Sequence, residues 1–445
     1  MASQPNVILI LADQWSTRIA DGSGQYDDVI RVPGITRLAS EGVRFNQSYS
    51  IFPLCGPARA SFFTGLMPHH HNILNNEEIY LERVGHIPAR DNLTTMGRVF
   101  QQAGYTTAYF GKEHASGYGW DHIDTYGSMK YSAGGMLAEG SVFDQIFTRD
   151  AVDFIKGDHD QPFYMTLSLI NPHDICKVLG GKVKGATIAD AIFFCRTDDE
   201  LYLRFQQRPD LPANHDAPAI AGMQRNDEYM YEELNDWTHD QWRRYIAAYY
   251  LLLEKTDWYI ELILNALSDA GLDDNTIVMF TTDHGEMLGS HNLISKTIFY
   301  EESAKTMMLV KYGDHLPAGT VDDESFVGTH DIMPTLLDLC DIDIPDALDG
   351  QSFKAQCYGE TGHDFSHFYA MNFDGRMLRY DQYKYVRSRV YGTDYHILFD
   401  LAQDPDERQN VYGQAAYQDI AHYMQSTLAD WIAEQGIDIT FDDLS

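Results

Sequence analysis

Basic residues are scarce in this chain. It has 32 Lys and Arg against 66 Asp and Glu, a formal net charge of −34. That balance repels a polyanion, so nucleic-acid binding is excluded. An anionic small molecule can be held only in a locally basic pocket; elsewhere the acidic excess reads as a solubilising surface. Cysteine is also sparse: Cys55, Cys176, Cys195, Cys340 and Cys357 are scattered and odd in number. No C-x-x-C pair occurs, which leaves neither a zinc ribbon nor a redox dithiol. No apolar run reaches the ~18 residues of a membrane span. The richest, Tyr249 to Leu267, is broken by Glu254, Lys255, Asp257 and Glu261. Repeats and low-complexity segments are absent too. The start, Met1-Ala2-Ser3-Gln4-Pro5, has no basic n-region, and no cleavage site follows the short run Val7 to Ala12. No signal peptide is legible. The chain as it stands is therefore expected in the cytoplasm, or in the periplasm or medium if a leader had been removed.

Against these absences stand 445 residues, 44% hydrophobic and 13% aromatic. That is ample for a packed core, and the length suits two or three domains or one large α/β domain with an appendage. Short apolar runs recur, and several end in residues capable of chemistry. Asn6 to Ala12 ends at Asp13-Gln14. Val43 to Tyr49 leads into a turn at Cys55. Tyr105 to Phe110 ends at Gly111-Lys112-Glu113-His114, and Pro162 to Ile170 at Asn171-Pro172-His173. Thr276 to Thr282 ends at Asp283-His284-Gly285-Glu286, with His291 and Lys296 beyond, and Met307 to Lys311 is a further strand. Continuous apolar runs of this length suit strands covered on both faces by helices. Helices are expected from Val32 to Gly42, over 92–103 and 142–155, from Thr238 as cap to Ala270 with Gly271 as stop, and from Asp331.

The fold class expected is α/β, with a large mostly parallel sheet sandwiched by helices over 1–355. Residues 177–236 read as an irregular insertion, a candidate substrate-recognition wall. Past a soft boundary near 355, residues 356–445 alternate as short antiparallel strands and then give a helix over 415–435. In a parallel sheet the strand ends share one edge, so distant positions can converge there. Two carboxylates with further oxygen or imidazole donors make a divalent cation site.

Cys55-Gly56-Pro57-Ala58-Arg59, continuing to Thr64-Gly65, reads as a turn feeding a helix. Pro57 suits the first helical turn. Cys55 then sits where backbone N–H groups and the positive helix end face an anion. Arg59, one turn on, can fork onto a tetrahedral oxyanion. Taken alone, Cys55 fits a buried packing role equally well. His69-His70-His71 reads as a solvated polar loop.

Cys55-x-Pro57-x-Arg59 with Thr64-Gly65 resembles the active-site motif of the formylglycine-dependent sulfatases, in the alkaline phosphatase superfamily. Leu11-Ala12-Asp13-Gln14 resembles the family's first metal segment, where Asp-Asp is commoner. Gly111-Lys112-Glu113-His114, Asn171-Pro172-His173 and Asp283-His284-Gly285-Glu286 with Gly289-Ser290-His291 and Lys296 match in family order. Tyr385, Leu398 to Leu401, Asp404 to Glu407 and Asn410 resemble its C-terminal subdomain. The resemblance implies hydrolysis of sulfate monoesters, of saccharides or other small organic molecules. It implies that Cys55 is oxidised to formylglycine by a separate generating enzyme. Asp13, Gln14, residue 55, Asp283 and His284 become ligands of one divalent cation. All-oxygen ligation points to Ca²⁺, with Mn²⁺ or Mg²⁺ as alternatives, and the His284 imidazole admits Mn²⁺. Lys112 becomes a sulfate clamp, Arg59 with Lys112 favours the ionised hydrate of residue 55, His114 becomes a base for intermediate breakdown, and His173 and Lys296 become leaving-group partners. His291 joins the substrate rim. The alternative is a phosphonate or phosphate mono- or diesterase of the same superfamily, which Gln14 and His284 also fit.

Overall fold

Strand β1, Asn6–Asp13, is buried along its whole length and lies inside an eight-stranded sheet. The structure is a computed structural model and describes residues 4–25, 29–76, 93–112, 119–126, 139–179, 182–183, 210–223 and 236–439. The remaining strands of this sheet, in chain order, are β2 (Val43–Phe45), β3 (Thr106–Lys112), β4 (His122–Tyr126), β5 (Phe163–Pro172), β6 (Thr276–Thr282), β7 (Met308–Tyr312) and β8 (Thr320–Asp322). Their spatial order is β8-β2-β7-β6-β1-β5-β3-β4. β7 runs antiparallel to both its neighbours, and the other five pairings are parallel. The expected α/β sandwich with a mostly parallel sheet is present.

The period of two in a strand divides β1 between two cores. Val7, Leu9 and Leu11 join Phe62, Phe63, Met96, Phe100 and Leu336 on one face. Ile8, Ile10 and Ala12 join Ile35, Phe147 and Tyr249 on the other. Each fully buried aliphatic side chain is worth roughly 1.5–3 kcal/mol, so both helical layers hold the central strands in register. Four helices matter below: α1 (Pro33–Glu41), α2 (Cys55–Thr64), α3 (Glu139–Ile155) and α4 (His239–Ala270). α4 begins where expected. The Thr238 hydroxyl accepts from the Gln241 N–H at 3.3 Å, and the Gln241 side chain accepts from the Thr238 N–H at 2.8 Å. That reciprocal cap satisfies two orphan donors. Gly271, at φ 68°, ends the helix.

One expected strand is two. Val43–Phe45 belongs to the large sheet, whereas Ser48–Tyr49 pairs with Val327–Gly328. The change of partner falls at Asn46-Gln47, where the Asn46 N–H bonds to the Asp322 carbonyl and the Val327 N–H to the Gln47 carbonyl. A four-stranded antiparallel sheet spans His367–Met371, Gly375–Tyr380, Tyr383–Val390 and Thr393–Asp400. Helix Gln418–Gln435 packs Ala421, Met424 and Leu428 against its Leu378, Tyr385 and Leu398. Of the expected 177–236 insertion, the described part is a two-stranded ribbon, Val178–Leu179 with Lys182–Val183, and residues 210–223. Among the described residues no helix is long and apolar enough to cross a membrane.

Candidate active site

The carboxyl ends of β1, β3, β5 and β6 lie along one edge because these strands are parallel neighbours. Asp13, Lys112 and Pro172 are the last residues of their strands, and Asp283 follows Thr282. Cys55 opens α2 at the same place, with extended Leu54 before it. One ligand atom from each of Asp13, Cys55, Asp283 and His284 lies within 4.8 Å of the others, and all four residues are buried. The Cys55 Sγ is 3.7 Å from Asp13 Oδ1 and 3.3 Å from His284 Nε2.

His284 Nδ1 faces the Gly285 carbonyl at 2.9 Å. A carbonyl only accepts, so Nδ1 carries a proton and Nε2 is the nitrogen turned toward the cluster. Two carboxylates, an imidazole nitrogen and the residue 55 side chain in one buried group fit a divalent cation. Gly285 is required for the approach. A Cβ there would lie 2.0 Å from the Glu302 carbonyl oxygen. Gly111, at φ 122°, meets the same demand beside Lys112, where a Cβ would lie 2.0 Å from the Ser168 carbonyl oxygen.

Arg59 is fully buried one turn into α2. Its Nε donates to Asp283 Oδ2 at 2.9 Å, Nη2 to Asp13 Oδ2 at 3.2 Å and Nη1 to Ser168 Oγ at 2.7 Å. The residues suggested a fork aimed at the substrate; the fold turns much of that fork onto the two carboxylates. Lys112 Nζ donates to Asp13 Oδ2. Lys296 Nζ donates to Gln14 Oε1 at 2.6 Å, and Gln14 Nε2 donates to Glu286 Oε2. The Gln14 side-chain carbonyl is thus held by Lys296, with the Cys176 Sγ 3.7 Å away.

The electrostatics follow from burial. Burial pushes the Asp13 carboxyl up, but Lys112, His173, Arg59 and Lys296 together hold it well below the usual carboxylate range. Burial and Asp13 push the Cys55 thiol up; Lys112, Lys296 and His284 outweigh them and leave it below its ordinary value. Burial opposes the charge on Lys296, and the charges of Cys55, Cys176, Asp13 and Asp283 restore it and raise the ammonium above its ordinary value. Arg59, Lys112 and Lys296 thus bring three cations to this sheet edge of a strongly acidic chain, the local positive charge that an anion requires.

His173 opens the 3₁₀ turn His173–Lys177 at the end of β5, partly exposed at the rim, where it acts electrostatically on Asp13. His291 is buried against the Tyr300 ring, with Asn214 Nδ2 3.2 Å from its Nε2, and neither partner belongs to the cluster. His114 lies outside the described residues. His69 to His71 form a helical turn, Pro68–His71, rather than a loop. His71 is buried on the Ser61 hydroxyl and His70 pairs with Asp349. Two participants escaped the sequence reading. Ser168, on β5, anchors Arg59 and offered only a strand position. Glu286 bonds Gln14 and also accepts from Tyr245 Oη at 2.8 Å and the Ser295 N–H at 2.8 Å. Its signal was its place three residues after Asp283.

Residues 5–342 match the family model described as Sulfatase, and residues 289–434 match that described as N-sulphoglucosamine sulphohydrolase, C-terminal. A Delta 4,5-hexuronate-2-O-sulfatase of Bacteroides thetaiotaomicron is 28% identical over 96% of this chain and 89% of its own length. A solved 2-O GAG sulfatase superposes with a TM-score of 0.79 at 24% identity, covering 98% of this chain and 95% of that one. The phosphonate monoester hydrolase of Agrobacterium radiobacter superposes at 0.74 with 21% identity, covering 97% and 96%. At those identities the two superpositions speak for the fold alone. The first family model spans well over half of the chain, which therefore belongs to the sulfatase family of sulfuric ester hydrolases, within the alkaline phosphatase superfamily.

Proposed function

We propose that this protein removes sulfate from a sulfated saccharide or other small sulfate ester, with residue 55 as nucleophile after oxidation of its cysteine to formylglycine. The observation that carries the reading is the placement of the Cys55 sulfur. It sits at the start of α2, 3.7 Å from Asp13 and 3.3 Å from His284, with Lys112 and Arg59 on the same carboxylate. Relatives named for hexuronate 2-O-sulfate and N-acetylglucosamine 6-O-sulfate support a saccharide.

Asp13, Gln14, residue 55, Asp283 and His284 would hold one divalent cation, Ca²⁺ first and Mn²⁺ or Mg²⁺ as alternatives. When bound, it would polarise a sulfuryl oxygen and hold charge that develops there. A hydroxyl oxygen of the hydrated residue 55 attacks sulfur in line, and the S–O bond to the alcohol breaks. Lys112 and the N-terminus of α2 hold the sulfuryl oxygens, and Arg59 keeps both carboxylates oriented. Lys296 or His173 neutralises the departing alkoxide. His114 then draws the proton from the second hydroxyl, the carbonyl re-forms and sulfate leaves. Nucleophilic catalysis with fixed charges in a dry site accounts for the lowered barrier. A formylglycine-generating enzyme is the partner needed in maturation.

The test is peptide mass spectrometry at residue 55 with turnover of nitrophenyl sulfate, phosphate and phosphonate esters. Formylglycine and preferred sulfate turnover are expected. Preference for the phosphonate would favour the second reading, a phosphonate or phosphate esterase, which Gln14 and His284 also fit. An unmodified thiol with full activity would overturn the proposed nucleophile.

A further inference from the structure

A second group of metal-capable side chains lies apart from the active cluster and shares no residue with it. His215 and Asp216 come from the described segment 210–223 of the insertion, and His239 is the first residue of α4. One ligand atom from each lies within 4.8 Å of the others, and His239 Nε2 is 4.0 Å from Asp216 Oδ1.

His215 is the ordered member. It is 4% exposed. Its ring meets the Trp242 ring edge-on at 5.1 Å. Its Nδ1 lies 2.7 Å from the Gly289 carbonyl oxygen. That carbonyl accepts only, so Nδ1 carries the proton and Nε2 keeps a free lone pair. A backbone carbonyl fixing one ring nitrogen while the other is free is the arrangement that supports a metal-bound imidazole. The other two members are exposed, with side chains 65% accessible for His239 and 90% for Asp216.

A tetrahedral ion at about 2.0–2.1 Å from nitrogen and oxygen ligands sets those atoms roughly 3.3 Å apart. Closing from the observed spacing takes about an ångström of motion, within reach of two exposed side chains while His215 stays in place. The positive end of α4 opposes a cation at its first turn. The Asp216 carboxylate supplies the compensating charge. Two imidazoles and one carboxylate select a borderline transition ion over Ca²⁺ or Mg²⁺, which prefer oxygen.

We propose that His215, Asp216 and His239 form a second divalent-metal site, of the zinc type with three protein ligands and water in the fourth position. Bound there, the ion pins the segment 210–223 to the first turn of α4. Through His215 it also braces Gly289, in the loop that follows Asp283 and His284. None of this depends on the ester that the active site cleaves.

The test is equilibrium dialysis of the full chain against zinc in excess Ca²⁺, which occupies the oxygen-rich centre. Wild type is compared with His239→Ala, Asp216→Asn and the control His70→Ala. The wild type is expected to bind zinc, and His239→Ala to weaken it at least about ten-fold, as loss of a direct ligand should. Asp216→Asn should weaken it less and His70→Ala not at all. Cobalt in place of zinc should give tetrahedral visible absorption in wild type that His239→Ala abolishes. Both exposed variants should keep the wild-type unfolding temperature without zinc, and turnover in Ca²⁺ should be unchanged. Absence of zinc binding by the wild type would overturn the site. So would equal binding by His239→Ala and Asp216→Asn, or binding that depends on His70.

Discussion

The Nε of Arg59 lies 2.9 Å from Asp283 Oδ2, and neither side chain reaches solvent. The same guanidinium touches Asp13. One arginine thus aligns two carboxylates that arrive from strands β1 and β6. Removing one partner of a buried pair costs about 3–5 kcal/mol, since the other charge is left uncompensated. Arg59→Ala should lower the unfolding free energy by that order. Arg59→Lys should keep much of the fold yet lose activity at least about a hundred-fold, because an ammonium cannot reproduce the fork. Mass analysis of residue 55 in each variant separates lost alignment from lost modification.

Cys55→Ala should abolish turnover and leave the thermal unfolding midpoint close to the parent. Loss of a nucleophile costs well over about a thousand-fold. Activity above a thousandth of the parent would mean another group attacks sulfur.

Gly285→Ala should be damaging out of proportion to its size. The added methyl would stand 2.0 Å from the Glu302 carbonyl oxygen, so the backbone between Asp283 and Glu286 must shift. A cost of at least ~2 kcal/mol is expected, as for other overpacked sites. Denaturant unfolding would measure it, and metal content should fall with it.

Exhaustive chelation should remove activity. Re-addition should restore it, with Ca²⁺ expected ahead of Mn²⁺ and Mg²⁺. Recovery with Mn²⁺ alone would show that the His284 imidazole, not the carboxylates, sets the preference.

Glu407, which is not a member of the active cluster, predicts a pH dependence of stability. Lys384 lies between two carboxylates, 2.6 Å from Glu301 and 2.7 Å from Glu407, and Glu301 also has Arg379 and Lys305 nearby. Burial pushes Glu301 up, but Lys384 and Arg379 bring it down to about 2. Burial pushes Glu407 up to about 7, beyond what Lys384 can reverse. The folded state therefore binds a proton at Glu407 that the unfolded chain releases near its ordinary value of about 4.3. Stability from this group is present in acid and is lost as pH rises through about 4.5 to 7. Glu407→Gln should match the parent near pH 5 and unfold at a higher temperature near pH 8. Identical profiles for the two proteins would contradict the assignment.

Period and punctuation alone made much of this protein legible. The nearly continuous apolar run Asn6 to Ala12 specified a strand buried on both faces, because no solvent-facing alternation was present. Thr238 and Gly271 marked the ends of α4 through cap chemistry that acts within a few residues. Asp13, Cys55, Lys112 and Asp283 stood out because each closes a strand or opens a helix. Other features depend on partners hundreds of residues away. The split at Asn46-Gln47 follows from which strands are offered to either side. The turning of Arg59 onto Asp13 and Asp283 follows from packing α2 against the sheet edge.

The residues themselves determined the strands, the helix ends and the kinds of side chain that reach the sheet edge, since those follow from local sterics and hydrophobic spacing. Tertiary structure alone decided that Ser168 would anchor Arg59, that Glu286 would hold Gln14, and that His215 would meet His239. Hydrogen bonds and charges act over a few ångströms in space, and sequence separation does not report that distance.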